Sequence, residues 1–306
     1  MQPRTPWKPL SSATTSIRSV SKVISLSVLL CAASVRADLL STYQVSDAPL
    51  SGQIWNLNTE TFTTPAALFE QLEPGSWLFL GETHENVDHH SIQTLFIEQL
   101  AERGQMGALA LEMANIEQQP LLDSASSDPT KVTPEQLEWH RGWPWDWYKG
   151  PVTAGLKHAK RVVATDLTRS SKMAAYGDES LEVPADSAYT DFMLDLLYEG
   201  HCGQMPKSQL TNMLRVQYAR DISMREAMIA NTDESGVNIL LAGTVHTRYD
   251  IGIPYWTEAL NIRTVLMVAA NDNPDPKTYY PDSYTDAAVA DFILFTPPTE
   301  YESGCN

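Results

Sequence analysis

Five short apolar runs, separated by stretches of helical spacing, constrain this 306-residue chain more than any other feature. They are residues 77–80 (WLFL), 108–113 (ALALEM), 161–165 (RVVAT), 237–242 (VNILLA) and 264–269 (TVLMVA). Each has the length of a strand and is bounded by turn or polar residues. Between the first two, Ile92, Leu95, Phe96 and Leu100 recur at helical spacing, with Asp88 as the expected N-cap. Long helical patterns also cover residues 185–199 and 207–230. Strands that alternate with helices predict an α/β fold, a mainly parallel sheet with helices on both faces. Residues 120–150 break the rhythm and read as an insertion or cap, and residues 271–284, rich in Asp, Pro and Tyr, read as surface loop. There is no internal repeat, and one domain accounts for the pattern.

The first residues have a different character. Arg4, Lys8, Arg18 and Lys22 occur with no acid, and an apolar run follows over residues 23–35. That run is shorter than the ~20 residues of a membrane span. It predicts a signal peptide, residues 1–37, cleaved after Ala37, with residues 38–306 exported to the periplasm or cell envelope. Lipidation at Cys31 is the alternative, disfavoured by Leu30 where a small residue is usual. Cleavage would remove five basic residues and no acid, making an already acidic chain (net charge −17) more so. That balance argues against nucleic acid as a partner. A hydrophobic content of 43% excludes a disordered acidic tail. Cys202 and Cys305 would remain in an oxidising compartment, where a disulfide between them is the simplest expectation and two buried thiols the alternative.

Chemistry-bearing residues gather where the runs end, the place where parallel sheets bind ligands. The first run leads into Gly81-Glu82-Thr83-His84 and then Asp88-His89-His90. The second ends near Glu112, and the fourth leads into Gly243-Thr244-Val245-His246, Arg248 and Asp250. Two G-x-x-H turns from distant strands would point imidazoles across the sheet edge. Glu82, His84, Glu112 and His246 could then hold a divalent metal ion or work as acid–base pairs. Hydrogen-bonded turn histidines are the plainer reading. His89 shares a helix face with Ile92 and Phe96 and should face the body, whereas His90 is turned about 100° away, toward solvent.

The 207–230 pattern puts Leu210, Met213, Leu214, Met224 and Met228 on one stripe, together with Gln217 and Asp221. Burying those two polar groups unpaired would cost about 2–7 kcal/mol each, so partners are expected. Arg220 lies beside them, and Arg248 is a candidate partner for Asp221. Finally, residues 139–148 (WHRGWPWDWY) concentrate four Trp in nine residues. They could cap the core, wall a pocket for a flat apolar ligand, or form an interface.

Taken in order, these motifs resemble the ChaN-type haem-binding uptake proteins of the Tiki/TraB-like superfamily. The resemblance runs through Gly81–His84 with Asp88-His89-His90, Leu111-Glu112-Met113, Trp145-Asp146-Trp147-Tyr148 and Asp166-Leu167-Thr168-Arg169. It continues through Gly200-His201-Cys202-Gly203, Gln217, Arg220-Asp221 with Met224, and the stretch from Leu241 to Arg248 with Asp250 and Gly252-Ile253-Pro254. It covers roughly residues 70–297. Asp166 and Thr168 depart from the family pattern N-[IL]-P-R. The resemblance implies an α/β fold, an envelope location and haem as ligand in iron uptake. It also raises an outer-membrane haem receptor system and a homodimer as possible partners. Haem iron takes His, Tyr, Met or Cys ligands, and His89, His90 and Tyr148 are the expected candidates. The alternative is a divalent-metal-dependent hydrolase built on Glu82, His84, Glu112 and His246.

Overall fold

The computed structural model describes residues 40–44 and 47–299. The signal segment, Cys31 and Cys305 lie outside the described residues, and the expected Cys202–Cys305 bridge with them. The chain begins with a hairpin of β1 (Ile54–Asn56) and β2 (Thr61–Thr63), followed by α1 (Pro65–Phe69). Then come β3 (Trp77–Glu82), α2 (Val87–Glu102), β4 (Met106–Asn115), α3 (Gln119–Ala125), α4 (Trp145–His158) and β5 (Arg161–Asp166). The remainder is α5 (Arg169–Gly177), α6 (Ser187–Gly200), α7 (Lys207–Asn231), β6 (Val237–Gly243), a single turn α8 (Thr244–Thr247), β7 (Ile262–Ala269) and β8 (Phe292–Thr296).

The eight strands of the described residues join one sheet in the order β2-β1-β8-β7-β3-β6-β4-β5. The six from β8 to β5 run parallel, and β1 and β2 add an antiparallel edge. The α/β reading therefore holds, with helices on both faces. The sequence reading missed β1, β2 and β8. Two of these are three-residue strands, too short to show any alternation.

Alternation along β3 shows how the layers are built. Leu78 and Leu80 pack with Ile92, Phe96 and Leu100 of α2 and with Tyr148, Val152 and Leu156 of α4. Trp77 and Phe79 face the other way, against Met224 and Met228 of α7. Successive side chains of a strand point to opposite faces, so a fully apolar run serves both layers. Residues 120–150, read as an insertion, are the crossover from β4 to β5: α3, a loop carrying the Trp residues, and the start of α4. The α2 helix begins two residues earlier than expected. Asn86, rather than Asp88, is its N-cap and accepts from the Asp88 amide.

The position of β6 sets up the site. It lies between β3 and β4, so Glu82 is paired with Gly243 and the ends of three strands meet. Such a reversal of strand order opens a crevice at the carboxyl edge.

Candidate functional site

Glu82 is the last residue of β3 and is buried. Its Oε1 accepts from His84 Nδ1 at 2.8 Å and from the Tyr148 hydroxyl at 2.6 Å. Gln93 of α2 donates to Oε2, and His90 Nε2 lies 3.5 Å from the same oxygen. Burial acts to raise this carboxyl, but the bond from His84 and the approach of His90 outweigh it and hold it at about 2. The phenol of Tyr148 is pushed well up by burial and by the Glu82 charge.

Glu112, near the end of β4, anchors the other half. Its Oε1 accepts from Arg220 Nη2 at 2.6 Å, and its Oε2 accepts from the Gly243 amide at 2.6 Å. Burial raises it, yet the charges of His246, Arg220 and His84 hold it well below the usual carboxylate range. Arg220 reaches further, with Nε 2.9 Å from Asp166 Oδ1 at the end of β5. Lys172 of α5 also donates to Asp166. One guanidinium thus joins the ends of β4 and β5 to α7.

His246 lies on α8, immediately after β6. Its Nδ1 is bonded to Asp221 Oδ1 at 2.5 Å, and Trp256 Nε1 donates to the other oxygen of that carboxylate at 3.1 Å. Gln217 Nε2 is 3.0 Å from the same ring. Burial opposes charging of His246, while Glu112 and Asp221 favour it. The balance lies at about 9, although Arg220 Nη1, 3.0 Å from Nε2, resists it. Burial is also the leading influence on Asp221 and raises its carboxyl.

Two glycines make this packing possible. A Cβ on Gly243 would lie 2.9 Å from His84 Nε2. A Cβ on Gly252 would lie 2.4 Å from the His246 carbonyl oxygen and 2.6 Å from that of Val245. Backbone cannot swing aside as a side-chain tip can. Gly252→Ala should therefore cost about 1–3 kcal/mol as an overpacked position, read by thermal unfolding. An unchanged midpoint would show that the turn yields freely.

The structure brings Glu82, His84, Glu112, His246, Gln217, Arg220 and Asp221 into one centre. It does not bring in Arg248 and Asp250. Those two form their own buried pair, Nε to Oδ1 at 2.9 Å, and Arg248 also donates to the Asp282 carbonyl at 2.7 Å. Asp221 is thus held by His246 and Trp256, not by the expected Arg248. His90 is only 2% exposed, against the expectation of a solvated residue. The reason is α4, whose Trp147 and Tyr148 rings lie 6.0 and 4.4 Å from the imidazole. His89 faces the body as expected. Its Nδ1 accepts from the Thr83 amide at 3.0 Å and its Nε2 lies 3.0 Å from Asn86. Burial holds it at about 3, a neutral clamp on the turn after β3. With Tyr148 also fully buried, none of the three candidate axial ligands reaches the surface in this conformation.

Of the ionisable groups in the cluster, His84 is the most open, its side chain one-third exposed and its ring edge-on to Trp143 at 4.7 Å. Burial lowers its basicity, but Glu112 and Glu82 together raise it. Glu82 fixes the proton on Nδ1 of the neutral ring, so Nε2 can accept one from a bound molecule. Among the described residues no three His, Cys, Asp or Glu side chains are arranged to hold a metal ion. The Arg220 guanidinium already supplies the positive charge between Glu112 and His246, where a divalent cation would be repelled.

Sequence reasoning missed two members of the centre. Asp166 ends the third recognised strand, and the strand-end rule used for the others applied to it equally. Gln93 lies four residues after His89 on the buried face of α2, a polar residue on an apolar stripe.

Together the fold and site define an α/β protein with a polar centre at its parallel strand ends, roofed by aromatic side chains. The family model described as haem-binding uptake, Tiki superfamily, ChaN matches residues 68–256. The chain belongs to this family. Among solved structures it is similar to ChaN of Campylobacter jejuni, titled for cofacial heme binding. The two are 22% identical with a TM-score of 0.64, over 79% of this chain and 95% of that one. A mutant of the erythromycin esterase EreC in its open conformation is 14% identical with a TM-score of 0.42, over 77% of this chain and 80% of that one. The type III effector HopBA1 is 13% identical with a TM-score of 0.40, over 73% and 88%. No curated protein matches the sequence.

Proposed function

We infer that this protein binds haem in the cell envelope and serves haem-iron uptake. Its membership in the ChaN family carries this reading. The export signal read from residues 1–37 is consistent with it, and among the described residues no helix is long and apolar enough to cross a membrane. The roof of the site suits a flat apolar ligand. Trp143 stands between two surface clefts, of about 270 and 430 Å³. His84 and His140 are the imidazoles open to solvent beside it. When bound, haem would contribute an iron that takes an imidazole ligand such as His84. The protein's part is to stack the macrocycle on aromatic rings and neutralise its carboxylates. Titrating the purified protein with haem should produce a Soret band shifted from that of free haem, saturating at a fixed stoichiometry. A spectrum that remains that of free haem at stoichiometric ratio would overturn the proposal.

A further inference from the structure

The smaller cleft has a distinct chemistry. It is lined by Met113, Asn115, His140, Trp143, Arg169 and Lys172, above Asp166. At about 270 Å³ it falls below the range of pockets that bury a whole drug-sized ligand, so it can take one edge of a macrocycle. We propose that it seats the carboxylate edge of a tetrapyrrole, with Arg169 and His140 as the donors. This rests on the haem-binding reading above.

Arg169 is the first observation. It is exposed and, among the described residues, has neither ion pair nor hydrogen bond. In a chain of net charge −17 a cation beside a cleft without a carboxylate partner stands out. The acid on the cleft floor does not claim it, because Asp166 is already held by Lys172 and by Arg220. His140 is the second. Its Nδ1 accepts from the Gly142 amide at 3.0 Å. The proton of the neutral ring must then lie on Nε2, making that atom a donor to an anion and a poor ligand for iron. The surroundings are apolar. Trp143 walls the cleft, and Met173, 61% exposed, lies one helical turn from Arg169 on α5. A guanidinium and an imidazole N–H beside an aromatic wall match a flat ring that bears carboxylates at one edge, and a guanidinium binds a carboxylate through two parallel bonds.

The test uses iron-free protoporphyrin IX and its dimethyl ester, with tryptophan fluorescence and porphyrin absorption as readouts. The purified wild-type protein is compared with Arg169→Glu and, as a charge control in the other cleft, Arg141→Glu. Wild type should bind the free acid about ten- to a hundredfold more tightly than the ester. Arg169→Glu should erase that difference and leave ester binding and the near-ultraviolet circular dichroism unchanged. Arg141→Glu should retain it. Equal affinities for acid and ester in wild type, or equal losses in both variants, would overturn the seat while leaving tetrapyrrole binding intact. No binding of either porphyrin would remove both readings.

Discussion

Replacing Arg220 by Met should lower the free energy of unfolding by about 3–5 kcal/mol, the usual cost of stranding buried charges without their partner. The guanidinium donates to Glu112 at 2.6 Å and to Asp166 at 2.9 Å, and both carboxylates are at most 4% exposed. Removing it leaves Glu112 with the Gly243 amide and His246, and Asp166 with Lys172. Arg220→Lys restores the charge but not the fork, which bonds two carboxylates through different nitrogens. It should recover only part of the loss. Urea unfolding of the three proteins decides the matter. A loss below about 1 kcal/mol for Arg220→Met would mean that the ends of β4 and β5 are held without this bridge.

The second large effect is in pH. His89 is held at about 3, below its ordinary 6.5, because burial favours the neutral ring. Its contribution is complete above pH 6.5 and is lost as pH falls toward 3. Glu82, held at about 2 from an ordinary 4.5, adds stability above pH 4.5 that is lost as pH falls toward 2. His246 has the opposite sign. Raised to about 9, it adds stability that is complete below pH 6.5 and lost as pH rises to 9, and His84 is shifted in the same direction. Stability should therefore peak near pH 6.5. Each group changes it by about 1.4 kcal/mol per pH unit within its window, so pH 4.5 should cost about 2–3 kcal/mol through His89. His89→Asn retains an acceptor for the Thr83 amide and does not titrate, so it should flatten that acid arm. A wild-type curve level from pH 6.5 to 4.5 would show that His89 is not the acid-sensitive clamp.

Strand ends account for most of what could be read of the site in advance. A glycine followed by a polar residue after a short apolar run marks a chain turning at the sheet edge. On that basis Glu82, His84 and His246 are legible one strand at a time, and Glu112 is legible as the acid at the end of an apolar run. Gln217 and Asp221 are legible for another reason, since a polar residue on an apolar helix stripe must have a partner. The identity of the partner is not local information. Asp221 and His246 are 25 residues apart and meet at 2.5 Å because α7 packs over β5 and β4 while His246 follows the end of β6, the strand beside β4. Arg248, the nearer guess by motif, is taken by Asp250 two residues away. His90 shows the same limit. Helical phase alone turns it from the α2 core stripe, and only the packing of α4 closes it in.

The sequence by itself determined the class of fold, the families of residues at the strand ends and the aromatic richness of residues 139–148. These are encoded in periodicity and in turn chemistry, which act over a few residues. Tertiary structure alone decided that β6 inserts between β3 and β4, that Arg220 is the hub of the buried charges, and that His84 is the most open of the ionisable groups in the cluster. Those outcomes depend on strand order and helix packing, where groups far apart in the chain compete for the same few ångströms.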